Sequence, residues 1–302
     1  MLKGLKRCLE NPSYVFTALN RRGFFKWVPD SLYLKIVFKS RLGYSLNLKN
    51  PKTFNEKIQW QKLYGNLPRY TNLVDKYEVR KYVASTIGEE YLIPLLGVWD
   101  KFEDIDFSKL PNQFVLKCNH DCGSVIICTD KATFNVEEAK NKLTKFLKRN
   151  IYYPFREPQY KKIKPRIICE KYMVDESGTD LKDYKIFYFN GIPKIIQVHA
   201  GRFTDHKKNT YDMDWNYIPV SIGYATDSNM IIQRPGNLQE MLNLAQKLSE
   251  NIPHVRVDLY SIRDKIYFGE LTFTGGGGFQ KFEPKEFDLK MGSWFELQKK
   301  KS

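Results

Sequence analysis

The residues best suited to chemistry lie near the end of the sequence. Arg256-Val257-Asp258 falls in an alternating run, 255–260, and Phe268-Gly269-Glu270-Leu271-Thr272 falls in a second, 266–273. Successive side chains of a strand point to opposite faces, so Arg256 and Asp258 share a face, as do Phe268, Glu270 and Thr272. A turn centred near Arg263 sets 256 opposite 270 and 258 opposite 268, gathering Arg256, Asp258, Glu270 and Thr272 into one polar patch. Burying such charges uncompensated is expensive. A cross-strand ion pair from Arg256 to Glu270, with Asp258 solvated, is one compensation. Two carboxylates holding Mg2+ is another, with the arginine aimed at a phosphoryl or acyl oxyanion. Mg2+ takes few protein carboxylates and fills its octahedron with water and nucleotide phosphates.

Lys117 strengthens the second reading. It ends the apolar run Phe114-Val115-Leu116-Lys117-Cys118, just before the polar loop Asn119-His120-Asp121-Cys122-Gly123-Ser124. An ammonium beside loop N–H groups can cradle phosphate oxygens; alone, it would read as a lysine snorkelling from a strand edge. No GxxxxGK[ST] motif occurs. His120 among Cys118, Cys122 and Cys128 lacks the paired CxxC spacing of structural zinc, and the five cysteines read as reduced thiols.

The elements that position these groups are α+β in character. A helix is expected over 52–64, opened by Thr53 and Glu56, and another from about 74 to 86. Strands are expected at 113–118 and 125–128 as a hairpin, followed by a helix behind Asn135 and Glu138 and a strand at 166–173. Strands at 184–189 and 192–199 flank Asn190-Gly191, a strong hairpin turn signal. A helix near 237–248 precedes the last hairpin, and Gly275-Gly276-Gly277-Gly278 follows it. Residues 202–219 read as a long irregular loop of basic and aromatic residues.

The 302 residues carry a net charge of +15, which favours an anionic partner such as a phosphate-bearing nucleotide, nucleic acid or an acidic membrane. No run of about 18 apolar residues is present, and the opening residues lack the apolar centre of a signal peptide, so a cytoplasmic location is expected. The first 48 residues hold nine Lys or Arg against Glu10 and Asp30, with many aromatics. Such a segment reads either as a helical cap packed on the main domain or as peripheral contact with an anionic membrane, reaching its inner face.

Taken in order, the motifs resemble the ATP-grasp superfamily, and within it the TupA-like family of teichuronopeptide and polysaccharide biosynthesis. The most specific pieces are Arg256-Val257-Asp258, the 265–273 run and the glycines after it. Supporting pieces are Lys52-Thr53-Phe54-Asn55-Glu56-Lys57, Asp75-Lys76, 114–118, Glu170-Lys171-Tyr172 and Asp183-Tyr184-Lys185 before Asn190-Gly191. The resemblance implies an ATP-grasp fold, two α+β subdomains clasping ATP. Residues 1–50 would form the helical segment and 51–302 the ATP-grasp domain, divided into 51–112, a phosphate-loop part 113–173 and a metal-binding part 174–302.

The resemblance also implies roles. Lys76 and Lys117 would bind phosphate, Lys117 with a catalytic part; His120, Gly123 and Ser124 belong to the loop closing over the β- and γ-phosphates. Glu170, Lys171, Tyr172 and Met173 would face adenine, and Asp183 the ribose. Asp258, Glu270 and Thr272 would hold one or two Mg2+ ions, Thr272 standing where the superfamily usually has Asn, and Arg256 would stabilise the transferring group. Independently of the resemblance, the long basic and aromatic stretch 202–219 and the glycine run make Arg202, Lys207, Gly275, Gly276 and Lys281 candidates for substrate contact, with Lys208 and Trp215 near them. The implied activity is ATP-dependent carboxylate–amine ligation through an acyl phosphate on a glycan-linked or small carboxylate. A kinase-like phosphotransferase and a glycosyltransferase are the alternative enzymes, the latter with only Asp212-Met213-Asp214 as a metal motif. A binding module for anionic glycan or nucleic acid is the non-enzyme alternative; the paired acids oppose it and make nucleic acid an unexpected partner.

Overall fold

The computed structural model describes residues 24–175, 181–200, 207–230 and 232–298. Two antiparallel sheets organise it. The smaller has four strands in the order β1 (Leu95–Trp99), β4 (Ile167–Lys171), β2 (Phe114–Cys118) and β3 (Ile126–Cys128). The larger runs β11 (Lys265–Thr272), β10 (His254–Ile262), β5 (Asp183–Phe189), β6 (Ile192–Ala200), β7 (Lys207–Tyr211) and β8 (Tyr217–Ile218). A two-stranded ribbon pairs β9 (Ser221–Ile222) with β12 (Phe282–Glu283).

Helices cover both sheets, each for a reason visible in its residues. In α2 (Phe54–Tyr64), Thr53 accepts from the Glu56 N–H while the Glu56 carboxylate accepts from the Thr53 N–H, a reciprocal cap. The helix expected from 74 begins later, as α3 (Val79–Thr86), because Asp75 is extended and its Oδ1 accepts from the N–H groups of Tyr77 and Glu78. Asn135 caps α4 (Val136–Leu147), whose Ala139 and Leu143 pack on Phe114, Leu116 and Cys169 of the small sheet. Then α5 (Leu238–Leu248) lays Leu238, Met241, Ala245 and Leu248 on Tyr184, Ile186, Val255 and Val257 of the large one. On its other face Phe187 and Phe189 meet Phe54 and Ile58 of α2 and Met291 of α6 (Glu286–Trp294).

The basic N-terminal region supplies α1 (Asp30–Leu42), whose Tyr33, Leu34, Val37 and Phe38 are buried with Phe279. Its inner face packs on the main domain, against Phe279, Leu63 and Phe155. Residues 1–23 lie outside the described residues. One expectation fails and one strand was not anticipated. The stretch 202–219 is not wholly a loop, since 207–211 forms a paired strand, its polar letters explained by buried Lys208, Asn209 and Thr210. Strand β1, interrupted by Gly97, carries too little alternation to be read.

Candidate active site

Period-two alternation along β5 builds the site. Its even residues Tyr184, Ile186 and Tyr188 face the core under α5, so Asp183, Lys185, Phe187 and Phe189 face the other way. Pairing sets Asp258 beside Lys185 and Arg256 beside Phe187 on that face. In β10–β11, Arg256 lies opposite Thr272 and Asp258 opposite Glu270. This corrects the expected register by two residues. The turn spans Arg263 and Asp264, both with positive φ, and Gly269 is an extra residue bulged between Phe268 and Glu270. The bulge also turns Phe268 into the core with Leu259, rather than onto the face of Glu270.

The resulting cluster is charged and dense. Arg256 donates to both oxygens of Asp258 at 2.6 and 2.7 Å, and to Glu270 Oε1 and the Thr272 hydroxyl at 3.0 Å each. Thr272 in turn donates to Glu270 Oε1 at 3.0 Å. Lys185 contacts Asp258 Oδ2 and lies 2.6 Å from Asp183 Oδ2. Asp258 is thus buried between two cations, not solvated as the ion-pair reading required. Burial pushes its carboxyl up to about 6 against the pull of Arg256 and Lys185. Glu270 feels the same desolvation, but Arg256, Lys76 and Lys185 outweigh it and hold the carboxyl near 2. Its side chain is 41% exposed, at the open edge of the cluster.

The smaller sheet supplies a second set of groups. Lys117 reaches Glu170 at 2.5 Å, and Arg80 stands 3.8 Å from the same carboxylate. The Lys117 ammonium is therefore held by a carboxylate instead of sitting free beside loop amides. Lys76 donates to the Asp121 carbonyl at 2.5 Å, inside the 119–124 loop. Asn119 anchors that loop by donating to Asp75 Oδ2 and the Lys164 carbonyl, while its carbonyl accepts from the Lys76 N–H. The Ser124 hydroxyl donates to Asp121 Oδ1 at 2.5 Å and accepts from the Cys118 N–H. His120 is buried with Nε2 3.1 Å from the Arg149 carbonyl, and burial pushes its pKa down. Gly123 is exposed; Lys171 is exposed at the end of β4, and Tyr172 and Met173 are half-buried after it.

The glycine run forms a tight turn, Gly275–Gly278, in which Gly276, Gly277 and Gly278 all have positive φ. Lys62 of α2 donates to the Gly277 carbonyl at 2.5 Å and the Phe155 carbonyl at 2.8 Å, and Gln59 donates to Gly278 at 2.6 Å. Gly275 lies beside Arg256: a Cβ there would be 3.7 Å from Nη1. Of the other substrate candidates, Lys207 is paired with Asp227 at 2.6 Å, Lys208 donates to the Ile222 carbonyl, and Trp215 stacks on Tyr211. Lys281 is exposed, and Arg202 lies outside the described residues. Asp212 accepts from the N–H groups of Asp214 and Asn216, so that motif is a turn cap.

Three groups were given no role from the sequence. Lys185 carried a signal, sitting two residues after Asp183 and hence on its face. Glu157 and Tyr160 carried none. Burial raises the Glu157 carboxyl, and the Tyr160 phenol is pushed well above its usual range by burial and by Glu157, Glu270 and Cys122 around it.

Magnesium is implied by the fold family, and the donors present suit it. They are hard oxygens, two carboxylates and a hydroxyl, and the hydrogen bonds that Glu270 accepts from Arg256 and Thr272 both fall on Oε1, on a side chain 41% exposed. Among the described residues no group of three or more His, Cys, Asp and Glu is placed to hold a metal ion.

A fold of two antiparallel sheets with lysines on one and a carboxylate–arginine cluster on the other is that of ATP-grasp proteins, and comparison agrees. The family model for TupA-like ATP-grasp proteins matches residues 56–296. The chain belongs to the TupA-like ATP-grasp family. Similar solved structures include a D-alanine–D-alanine ligase from Bacillus anthracis complexed with ATP, at 19% identity over 66% of this chain and 53% of that one, TM-score 0.37. D-cycloserine synthetase DcsG matches at 13% identity over 74% and 71%, TM-score 0.38. A RimK domain ATP-grasp protein from Sphaerobacter thermophilus DSM 20745 matches at 10% identity over 76% and 69%, TM-score 0.39. The chain spans 53–56% of the length of the B. anthracis ligase structures. No curated protein matches the sequence.

Proposed function

We propose that the protein is an ATP- and Mg2+-dependent carboxylate–amine ligase. It would join an amino acid or other amine to a uronic-acid or glycan carboxylate in the assembly of a capsule or surface polysaccharide. The observation that supports this reading best is the single sheet face shared by Lys185, Arg256, Asp258, Glu270 and Thr272, with Lys76 within electrostatic reach of Glu270.

A carboxylate is a poor electrophile because oxide would have to leave. Attack of its oxygen on the γ-phosphorus of ATP expels ADP and gives an acyl phosphate. The amine nitrogen then attacks the acyl carbon, phosphate departs with the C–O pair, and the nitrogen sheds a proton. Asp258 and Glu270 would hold magnesium, with the Thr272 hydroxyl beside them; the chemistry it supplies is neutralisation of charge on phosphate oxygens. Arg256 and Lys185 hold two or more donors at the place where that charge develops, exchanging carboxylate for phosphoryl oxygens as the nucleotide enters. Lys117 and Lys76 would take the phosphates from the other side, and the 119–124 loop would exclude water from the acyl phosphate. Glu170 to Met173 would line the adenine, Asp183 would lie toward the ribose side of Lys185, and Gly275, Gly276, Lys207 and Lys281 would face the substrate carboxylate. The reading includes a cytoplasmic location with peripheral contact to an anionic membrane through residues 1–48.

The test incubates the protein with ATP, Mg2+ and panels of uronic acids and amino acids, reading ADP, free phosphate and product mass. Release of phosphate that requires both carboxylate and amine, with an amide product, supports the ligase. ADP with phosphate retained on the product would make it a phosphotransferase, and no ADP with any pair would sink both.

A further inference from the structure

Helix α1 has two faces of different kinds. At 100° per residue, Tyr33, Leu34, Val37 and Phe38 occupy one arc and are buried. Leu32, Lys35, Ile36, Lys39 and Ser40 occupy the opposite arc and are exposed. Just before the helix, Phe24 is 61% and Trp27 80% exposed, and Leu32 and Ile36 are 51% and 43% exposed. Four of the eleven exposed large hydrophobic side chains among the described residues thus fall within residues 24–36, a patch and not a scatter. Lys35 and Lys39 border it on the helix, and Lys26 adjoins it. Asp30, the one acid within residues 24–42, is held by the Tyr152 hydroxyl at 2.6 Å and Arg156 at 3.3 Å.

We propose that this outer face of α1 docks the protein onto an anionic lipid surface. An apolar patch alone would suit a protein partner; Trp, Phe, Leu and Ile bracketed by lysines suit the boundary between acyl chains and anionic headgroups, where long lysine stems lie along apolar surface while the ammonium meets phosphate. The chain's excess of 15 positive charges adds long-range attraction to the same partner.

The helix would carry the active site with it. Tyr33 donates to the Pro154 carbonyl at 2.9 Å, and the buried Arg156 donates to the Phe25 carbonyl at 2.6 Å. Between Pro154 and Arg156 lies Phe155, whose carbonyl accepts from Lys62, the residue that grips the glycine turn. A docked α1 therefore holds the glycine turn and Arg256 at a fixed height above the lipid, and a substrate attached to that lipid would be presented at constant reach. This last step rests on the ligase reading; the docking itself does not.

The experiment uses the full chain and vesicles of phosphatidylglycerol with phosphatidylcholine, against phosphatidylcholine alone, read by co-sedimentation. Wild type is expected to pellet with the anionic vesicles only. The triple change Trp27→Ser, Leu32→Gln, Ile36→Gln and, separately, Lys35→Glu with Lys39→Glu are each expected to weaken binding about tenfold or more. Unchanged Mg2+–ATP binding and thermal midpoint show that the variants remain folded, because all these side chains are exposed. Those two readouts also separate failure of the docking from failure of the nucleotide site. Wild-type binding that is absent, equal on neutral vesicles or untouched by the triple change overturns the proposal. So does a wild-type dimer that the triple change dissociates, since a second copy would then cover the face.

Discussion

Lys185→Met isolates the electrostatics of the sheet face. Lys185 and Arg256 are two cations among three carboxylates, Asp183, Asp258 and Glu270, and its loss takes the group from a net −1 to −2. Asp183 and Asp258 have side chains only 2% exposed, so water cannot replace the ammonium. Removing one partner of a buried pair costs about 3–5 kcal/mol, and uptake of a proton limits the loss to the lower end, roughly 3 kcal/mol. With about 2.1 cal/mol/K of unfolding entropy per residue, that is roughly 5 °C in thermal midpoint for a chain of this size. The pH dependence follows from Asp258, whose carboxyl is already raised to about 6 from 3.8 with Lys185 in place. A carboxyl raised on folding binds more protons in the folded state, so its stability contribution falls as pH rises from the unfolded value through the folded one. Wild type therefore stops losing stability from this group a little above pH 6. In the variant the pKa rises further, and the loss continues toward pH 8. Differential scanning calorimetry at pH 5 and pH 8 should show a gap between the proteins that more than doubles across the range. A gap independent of pH, or one under about 1 °C at pH 8, would refute the reasoning.

Other perturbations probe the scaffold. Gly278→Ala places a Cβ at φ +66° and 2.5 Å from Ile58 Cγ2, and should cost roughly 2–3 kcal/mol in urea unfolding; a neutral result would contradict the geometry of the glycine turn. Thr53→Ala removes half of the reciprocal cap on α2 and should cost about 1 kcal/mol in the same assay, with Thr53→Ser recovering most of it. Asp75→Ala removes the acceptor for two backbone N–H groups and for Asn119, so it should cost roughly 2 kcal/mol and also weaken ATP binding through Lys76; stability loss with unchanged nucleotide affinity would argue against that coupling.

Much of this was legible in the residues because local signals and tertiary demands agree. Asn190-Gly191 and the Thr53–Glu56 cap place a hairpin and a helix without help from the rest of the chain. The face carrying Arg256, Asp258, Glu270 and Thr272 followed from alternation alone, since a register slip of two preserves which residues share a side. The register itself did not, because the bulge at Gly269 sits where an added Cβ would come within 3.0 Å of the Asp258 carbonyl oxygen, a closeness between strands that only the folded hairpin creates. Strand β7 hid because its buried lysine, asparagine and threonine find partners only in the folded sheet. Lys117 and Lys76 could be singled out by type, but their partners, Glu170 and the Asp121 carbonyl, come from segments 53 and 45 residues away. Glu157 and Tyr160 lie in a connection with no periodic pattern, so only the folding of that connection brings Tyr160 within electrostatic reach of Glu270 and Glu157 onto the Thr274 hydroxyl.

The most direct test is calorimetric titration of ATP into the protein with and without Mg2+, comparing wild type with Lys117→Ala and with the double change Asp258→Asn, Glu270→Gln. The account predicts micromolar ATP binding that requires Mg2+ and is lost or greatly weakened in both variants. Absence of ATP binding, or Mg2+-independent binding that neither variant disturbs, would contradict it.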